Sequence, residues 1–159
     1  MNIHVDGGCR GNGQPDAIGA AAALFRYRGG RTQTWTRQLP DSLYDPPATN
    51  QRAEITAIIL ALNIAIDKHE QLDYCPKVDV TIYSDSKYAV NCMTEWIYGW
   101  LQNDWTNSRG FEVVNRDLIE EANDLDDRLR ELGRVRYQWI PRAQNTQADE
   151  ACNDCMDGM

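Results

Sequence analysis

Four acidic residues stand at positions where a charge needs a reason. Asp6 closes the apolar alternation "NIHVD", and Asp85 closes "VDVTIYSD". Glu54 falls at the start of the apolar run "ATNQRAEITAIILALNIAI", residues 48–66. At helical spacing its neighbours are Ala57, Ile58 and Ala61, so it shares an apolar stripe. Asp149 opens "TQADEACNDCMDGM", with Cys152 and Met156 at its i+3 and i+7 positions. Singly, each acid has an ordinary explanation: Asp makes turns at strand ends, and an acid in a first helical turn complements the helix dipole. Together, on inward faces and strand ends, they would repel, and some would take up protons unless cations hold them. Oxygen ligands with open positions suit Mg²⁺ or Mn²⁺. Two such ions, about 3.5–4 Å apart, carry out in-line phosphoryl transfer.

The elements that must position these acids follow from periodicity. "NIHVD" alternates and reads as a strand, followed by the glycine loop "GGCRGNGQPDAIG". "AAAALFRY" and "RTQTWTRQL" flank "RGG" and predict a hairpin. The Pro-rich "PDSLYDPPATN" leads to a capping Thr49-Asn50 and a helix from about Gln51 to Lys68. Residues 78–85 form a strand. "SKYAVNCMTEWIYGWLQ" reads as helix with a break near Gly99, and "NDWTNSRG" as a polar loop. "VVNRDLIEEANDLDDRLREL" is amphipathic, with Val114, Leu118, Ala122, Leu125, Leu129 and Leu132 on one stripe. "RVRYQWI" is a strand, and a last helix starts at a capping Thr146. The order β-β-β-α-β-α-α-β-α predicts an α/β fold with a mixed five-stranded sheet and helices on both faces. Its first three strands are antiparallel and its later strands parallel to the first. In such sheets ligands gather beyond the carboxyl ends of parallel strands, where Asp6 and Asp85 both fall. No repeat, linker or low-complexity segment divides the chain, so residues 1–159 read as one domain.

At 159 residues, 42% hydrophobic and 25% charged, the chain can bury a full core without disulfides or zinc. No apolar run reaches the roughly 20 residues of a membrane span. A strand from residue 2 leaves no room for a leader peptide in this chain. The five cysteines, an odd count, predict reduced thiols and an intracellular setting. "CNDC" at 152–155 has C-x-x-C spacing but no second pair. It reads as helix rather than as a zinc or redox site. Twenty-four acidic against 16 basic residues give a net charge of −8. Charge alone speaks against nucleic acid, which usually leaves a basic footprint.

The motifs override that objection. "VDGGCRGNG", "TNQRAE", "YSDSKYAV", "WIYGWLQNDW", "VVNRDL" and "NTQADEA" resemble, in order and across nearly the whole chain, the blocks of type 1 ribonuclease H. The resemblance implies that Asp6, Glu54, Asp85 and Asp149 are catalytic and bind two Mg²⁺ ions, with Mn²⁺ as a substitute. Asp6 would bridge both ions. Asp149 would help hold the ion that activates water, and Glu54 and Asp85 the ion facing the leaving 3′-oxygen. The implied reaction is endonucleolytic hydrolysis of the RNA strand of an RNA–DNA hybrid, leaving 5′-phosphate and 3′-hydroxyl ends. By the same resemblance, the Gly8–Cys9 loop, Asn12 and Gln51 touch ribose hydroxyls, and Asn50 reads the groove. Thr49 and Asn115 would hold a DNA phosphate. Trp96 and Trp100 are expected to serve at least half for packing, and Trp105, in the polar loop, to contact substrate. The partner is thus the hybrid, with no membrane, and the chain is expected to act as a monomer.

Two features depart from the family pattern. "WIPRAQNTQAD", 139–149, has no histidine, where many relatives carry one before the last helix. The shorter Pro-Arg-x-x-Asn form also occurs in the wider family, and Arg142 is assigned to a scissile-region phosphate. The chain's two histidines, His4 and His69, are assigned no catalytic role. The handle "LQNDWTNSRG" is not basic, which predicts weak, salt-sensitive binding of hybrid; Arg26, Arg28, Arg31 and Arg37 are either a local basic face or solvated strand positions. Without a separate hybrid-binding domain, high processivity is not expected. Two alternatives compete: a non-catalytic binder of the same fold, and another two-metal enzyme such as an integrase or resolvase. Four mutually repelling acids disfavour the binder, and "TNQRAE" with "NTQADEA" disfavours the integrase or resolvase.

Overall fold

The computed structural model describes residues 1–40 and 45–159. Positions 41–44 of the Pro-rich connection lie outside the described residues. Five strands form one sheet: β1 (Asn2–Arg10), β2 (Ile18–Arg26), β3 (Thr32–Gln38), β4 (Val78–Ser84) and β5 (Gly133–Trp139). Their order is β3-β2-β1-β4-β5. β1–β2 and β2–β3 pair antiparallel, whereas β4 runs parallel to both β1 and β5. The mixed sheet expected from the order of elements is the one observed.

Alternation along β2 splits the core in two. Ala21, Ala23 and Phe25 join the main cluster with α1 (Asn50–Glu70). Ala20 and Ala22 pack against Cys152 and Met156 of α5 (Thr146–Asp157) on the other face. A strand covered on both faces reads as a continuous apolar run, which explains "IGAAAALF". α1 is buried nearly all round because it lies over β1 and β2 with α4 (Arg116–Arg130) beside it. The Thr49 hydroxyl accepts the Arg52 N–H at 3.1 Å and caps its start, while Lys68 and His69 sit in its last turn.

Four boundaries differ from the sequence expectation. β1 runs on through Gly7–Arg10, paired with β2 along its whole length, so Asp6 lies at its centre rather than its end. Gly99 does not break its helix; it lies inside α3 (Ile97–Gln102). The irregularity comes earlier, as a π-helical segment, Cys92–Trp96, after α2 (Lys87–Asn91). No glycine or proline marks that segment, so composition gave no signal for it. α4 begins at Arg116 because Asn115 is left-handed, at φ 65°, which turns Val114 out to 66% exposure. Thr146 opens α5, but the residue before it, Asn145, is buried, and its amide donates to the Val5 carbonyl at 2.8 Å rather than capping the helix.

Candidate active site

The four acids reach the same region from four elements. Asp6 comes from the centre of β1, Glu54 from the start of the second turn of α1, Asp85 from just beyond β4, and Asp149 from the first turn of α5. Carboxylate oxygens of Asp6, Glu54 and Asp85 all lie within 4.8 Å of one another. Asp149 stands outside that group of three but lies near enough to Asp6 for its carboxyl group to raise the Asp6 pKa.

Close packing of backbone makes this convergence possible. Gly7 has no side chain because a Cβ there would overlap the Ala53 carbonyl group and the Glu54 nitrogen of α1. Contact at that point lets the Gly7 N–H donate to Glu54 Oε2 at 3.2 Å. Gly8 meets α5 in the same way: a Cβ would lie 3.0 Å from Met156 Cε and 3.4 Å from Cys152 Sγ. On the α5 side, the Asp149 N–H donates to the Asn145 carbonyl at 3.1 Å, and Asn145 is itself tied to β1. Gly7 and Asn145 therefore set the distance of two helices from β1. Neither was singled out in the sequence by charge or periodicity, although Asn145 opens the "NTQADEA" block.

The electrostatics are those of an acid cluster lacking counter-charge. Burial, then the Asp85 and Asp149 carboxyls, push Asp6 up to about 8 against the pull of Arg142. Burial, then Asp6 and Asp85, push Glu54 up to about 9, while the Gly7 N–H and Arg142 oppose the rise. Asp85 Oδ2 is buried and has no hydrogen-bond partner among the described residues. A buried carboxylate oxygen without a partner suits a hard cation. The all-oxygen donor set and the unpartnered Oδ2 fit a divalent ion.

The other expected residues fall in two groups. Gly8 and Cys9 line the end of β1, with Cys9 Sγ donating to the Ala48 carbonyl at 3.2 Å. Asn12, exposed, accepts the Asn50 N–H at 2.8 Å, which links the glycine loop to the start of α1 beside exposed Gln51. Arg142 is exposed in a short 3₁₀ turn before α5. Thr49 and Asn115 line a cleft of about 610 Å³ with Arg52, Arg116 and Val113. Asn115 is buried there and fully engaged. Its Oδ1 accepts from Arg52 at 3.3 Å, and its Nδ2 donates to Tyr88 at 3.0 Å and Gln51 at 3.4 Å. Arg52 is held in turn by Asp117 at 2.7 Å.

Trp105 is a correction. Though flanked by polar residues, it is 6% exposed and stacks on Trp100 at 6.0 Å between centroids. Asp104 and Trp105 are both left-handed, at φ 58°, and this turn carries the ring inward under Arg116. Trp96, 40% exposed, is the most open of the three tryptophans there, beside the more exposed Tyr98 and Phe111. Trp96 and Trp100 line a second cavity of about 700 Å³ with Asn103, Thr106 and Ser108. The hairpin arginines do not form one free face. Arg26 bonds Gln147 at 2.8 Å, and Arg31 stacks over Tyr27 at 4.4 Å.

Parallel strands and two flanking helices thus deliver carboxylates to one pocket, which is the build of a divalent-cation site on an α/β scaffold. The family model for RNase H matches residues 1–156. A ribonuclease H from Pelobacter propionicus is 33% identical over 96% of this chain and 80% of its own. One from Erythrobacter litoralis is 29% identical over 99% and 96%. Among solved structures, LC9-RNase H1, described as a type 1 RNase H with the type 2 active-site motif, superposes with a TM-score of 0.73 at 24% identity, over 99% of this chain and 72% of its own. LC11-RNase H1, solved in complex with RNA/DNA hybrid, gives 0.63 at 22%, over 96% and 94%. The chain belongs to the ribonuclease H family, and its activity is that class's endonuclease activity.

Proposed function

We propose that this protein hydrolyses the RNA strand of RNA–DNA hybrids at the pocket formed by Asp6, Glu54, Asp85 and Asp149. The reaction would use two Mg²⁺ ions and leave 5′-phosphate and 3′-hydroxyl ends. The convergence of three carboxylates within 4.8 Å carries the reading, because nothing but a cation or protons makes that arrangement affordable. A pair of divalent ions held there would supply an activated water and neutralise charge at the leaving oxygen.

The protein's own groups have distinct tasks. Asp6 is the shared centre, in contact with both the Glu54–Asp85 side and Asp149. Glu54 is fixed by the Gly7 N–H. Arg142 adds positive charge at the rim and suits a phosphate next to the cut. Gly8, Cys9, Asn12 and Gln51 form the surface on which ribose hydroxyls are read, the feature that separates RNA from DNA, and Asn50 faces the groove. Thr49, with Arg52 and Asn115 behind it, faces the cleft assigned to the DNA backbone. The partner class is supported by LC11-RNase H1, solved on RNA/DNA hybrid.

The test is cleavage in Mg²⁺ of labelled hybrid, duplex DNA, duplex RNA and a four-way junction. Cutting of only the RNA in the hybrid is expected. Asp6→Asn should lose turnover while its melting temperature in chelator near pH 7 stays close to that of the parent, since the amide stands in for a carboxyl group held largely neutral without ions. Junction cutting, or near-parent activity in Asp6→Asn, contradicts the proposal.

A further inference from the structure

An indole at the rim of the pocket has no role in the reading above. Trp139 ends β5, beside the end of β4, and stays 41% exposed. Its Nε1–H donates to the Asp85 carbonyl at 3.0 Å. The next residue, Ile140, donates its N–H to the Ser84 carbonyl at 2.9 Å. Two successive carbonyls at the end of β4 are therefore gripped from β5, one by main chain and one by side chain. On its face the Trp139 ring carries the Lys87 ammonium, 4.8 Å from the ring centre.

The grip matters because of what Asp85 lacks. Its buried Oδ2 has no hydrogen-bond partner among the described residues, so no polar contact to that oxygen sets where the carboxylate points. Its aim is inherited from the main chain of residues 84–86. That segment is held by Ser86 N–H to Ser84 Oγ at 3.0 Å, by Ile140, and by Trp139. A partner that orients a ligand from behind commonly changes metal affinity or activity by about 10–100-fold when removed.

We propose that Trp139 is a positioning residue that sets Asp85 for divalent-ion binding through its indole N–H and, through its ring, fixes the Lys87 ammonium, two residues on from Asp85, for a substrate phosphate. This inference rests on the proposed function of the pocket. The two legs separate by substitution. Trp139→Phe keeps a ring for Lys87 but deletes the N–H, and Trp139→Leu removes both.

Calorimetric titration of the substrate-free protein with Mn²⁺ reads the first leg without any turnover. Trp139→Phe should bind Mn²⁺ about 10-fold more weakly and lose kcat by a similar factor, with KM for hybrid within about twofold. Trp139→Leu should show the same Mn²⁺ loss and, in addition, a KM raised severalfold. Melting temperatures within a few degrees of the parent are expected, because Trp139 is only partly buried, at 41% exposure. A second reading uses the unsubstituted protein: its Trp139 indole N–H resonance should shift on Mg²⁺ addition, with the midpoint of the ion's binding curve. Parent-like Mn²⁺ affinity in folded Trp139→Phe, or an indole resonance indifferent to Mg²⁺, overturns the inference. A parent protein that neither binds Mn²⁺ nor cuts hybrid would instead overturn the function assigned to the pocket.

Discussion

Asp6 and Glu54 are held in conformations that disfavour their own ionisation. Their protonation is raised in the folded state, to about 8 and about 9, relative to ordinary values of 3.8 and 4.5. Between about pH 4 and 9 the ion-free folded protein therefore binds more protons than the unfolded chain. By linkage, its stability is fullest below pH 4 on account of these groups and falls as pH rises through the folded values. Melting in chelator should drop from pH 6 to pH 9, and Asp6→Asn should flatten that drop. Saturating Mg²⁺ should offset it, since an ion binding only the folded state stabilises it. A chelated parent whose melting temperature rises with pH over that range would contradict this account. At this scale the sequence was most legible for charges out of place: Glu54 in an apolar stripe and Asp85 just past a strand end, whereas Asp6, read as a strand end, lies at the centre of β1. It was least legible for Trp105, because two left-handed residues reversed the direction its polar flanks suggested. Gly7 was hidden for another reason. Its requirement comes from a helix about 47 positions away in sequence, brought close only by packing.

The elements matter here as levers on single carboxylates. Asn145 is the clearest case, since one side-chain amide ties the start of α5 to the centre of β1. Asn145→Ala leaves the buried Val5 carbonyl without that donor and should cost about 1–3 kcal/mol. Thr146→Ala, one residue on and exposed, should stay within about 0.5 kcal/mol. Chemical denaturation of the two variants checks the contrast, and equal losses would remove Asn145 from its assigned place. Element existence and order were readable because strand alternation, the alanine-rich β2 and the capped α1 each matched their local physics. Boundaries were not. The π segment at Cys92–Trp96 carries no marker residue, and the left-handed Asn115 answers to tertiary contacts, its side chain being shared among Arg52, Gln51 and Tyr88. Hydrophobic period alone would continue the helix back through Val114, which instead stands exposed.

Over the whole molecule, the net charge of −8 works against a polyanionic partner. Part of the surplus lies along α4, at Glu120, Glu121, Asp124 and Asp127. Long-range repulsion from such a surface is screened beyond about 10 Å at 0.1 M salt. Phosphate contacts at the clefts, as proposed, would be short-ranged and release counterions, so they would dominate the salt response. Affinity for hybrid, measured by anisotropy, should therefore be weak and fall as salt rises from 50 to 200 mM, whereas a salt-independent affinity would speak against backbone recognition at these clefts. No described helix is long and apolar enough to cross a membrane. Composition suggested exclusion of nucleic acid, and motif order corrected it, because four placed carboxylates weigh more than an average over the surface.

The central claim is that carboxylates from β1, α1, β4 and α5 jointly hold a pair of divalent ions. Its most direct test is anomalous diffraction from Mn²⁺-soaked crystals of the protein bound to a cleavage-resistant hybrid. Two peaks about 3.5–4 Å apart, in contact with Asp6 and flanked by Glu54, Asp85 and Asp149, are the expected result. Full Mn²⁺ occupancy elsewhere, with the four carboxylates left bare beside the bound RNA strand, would contradict it.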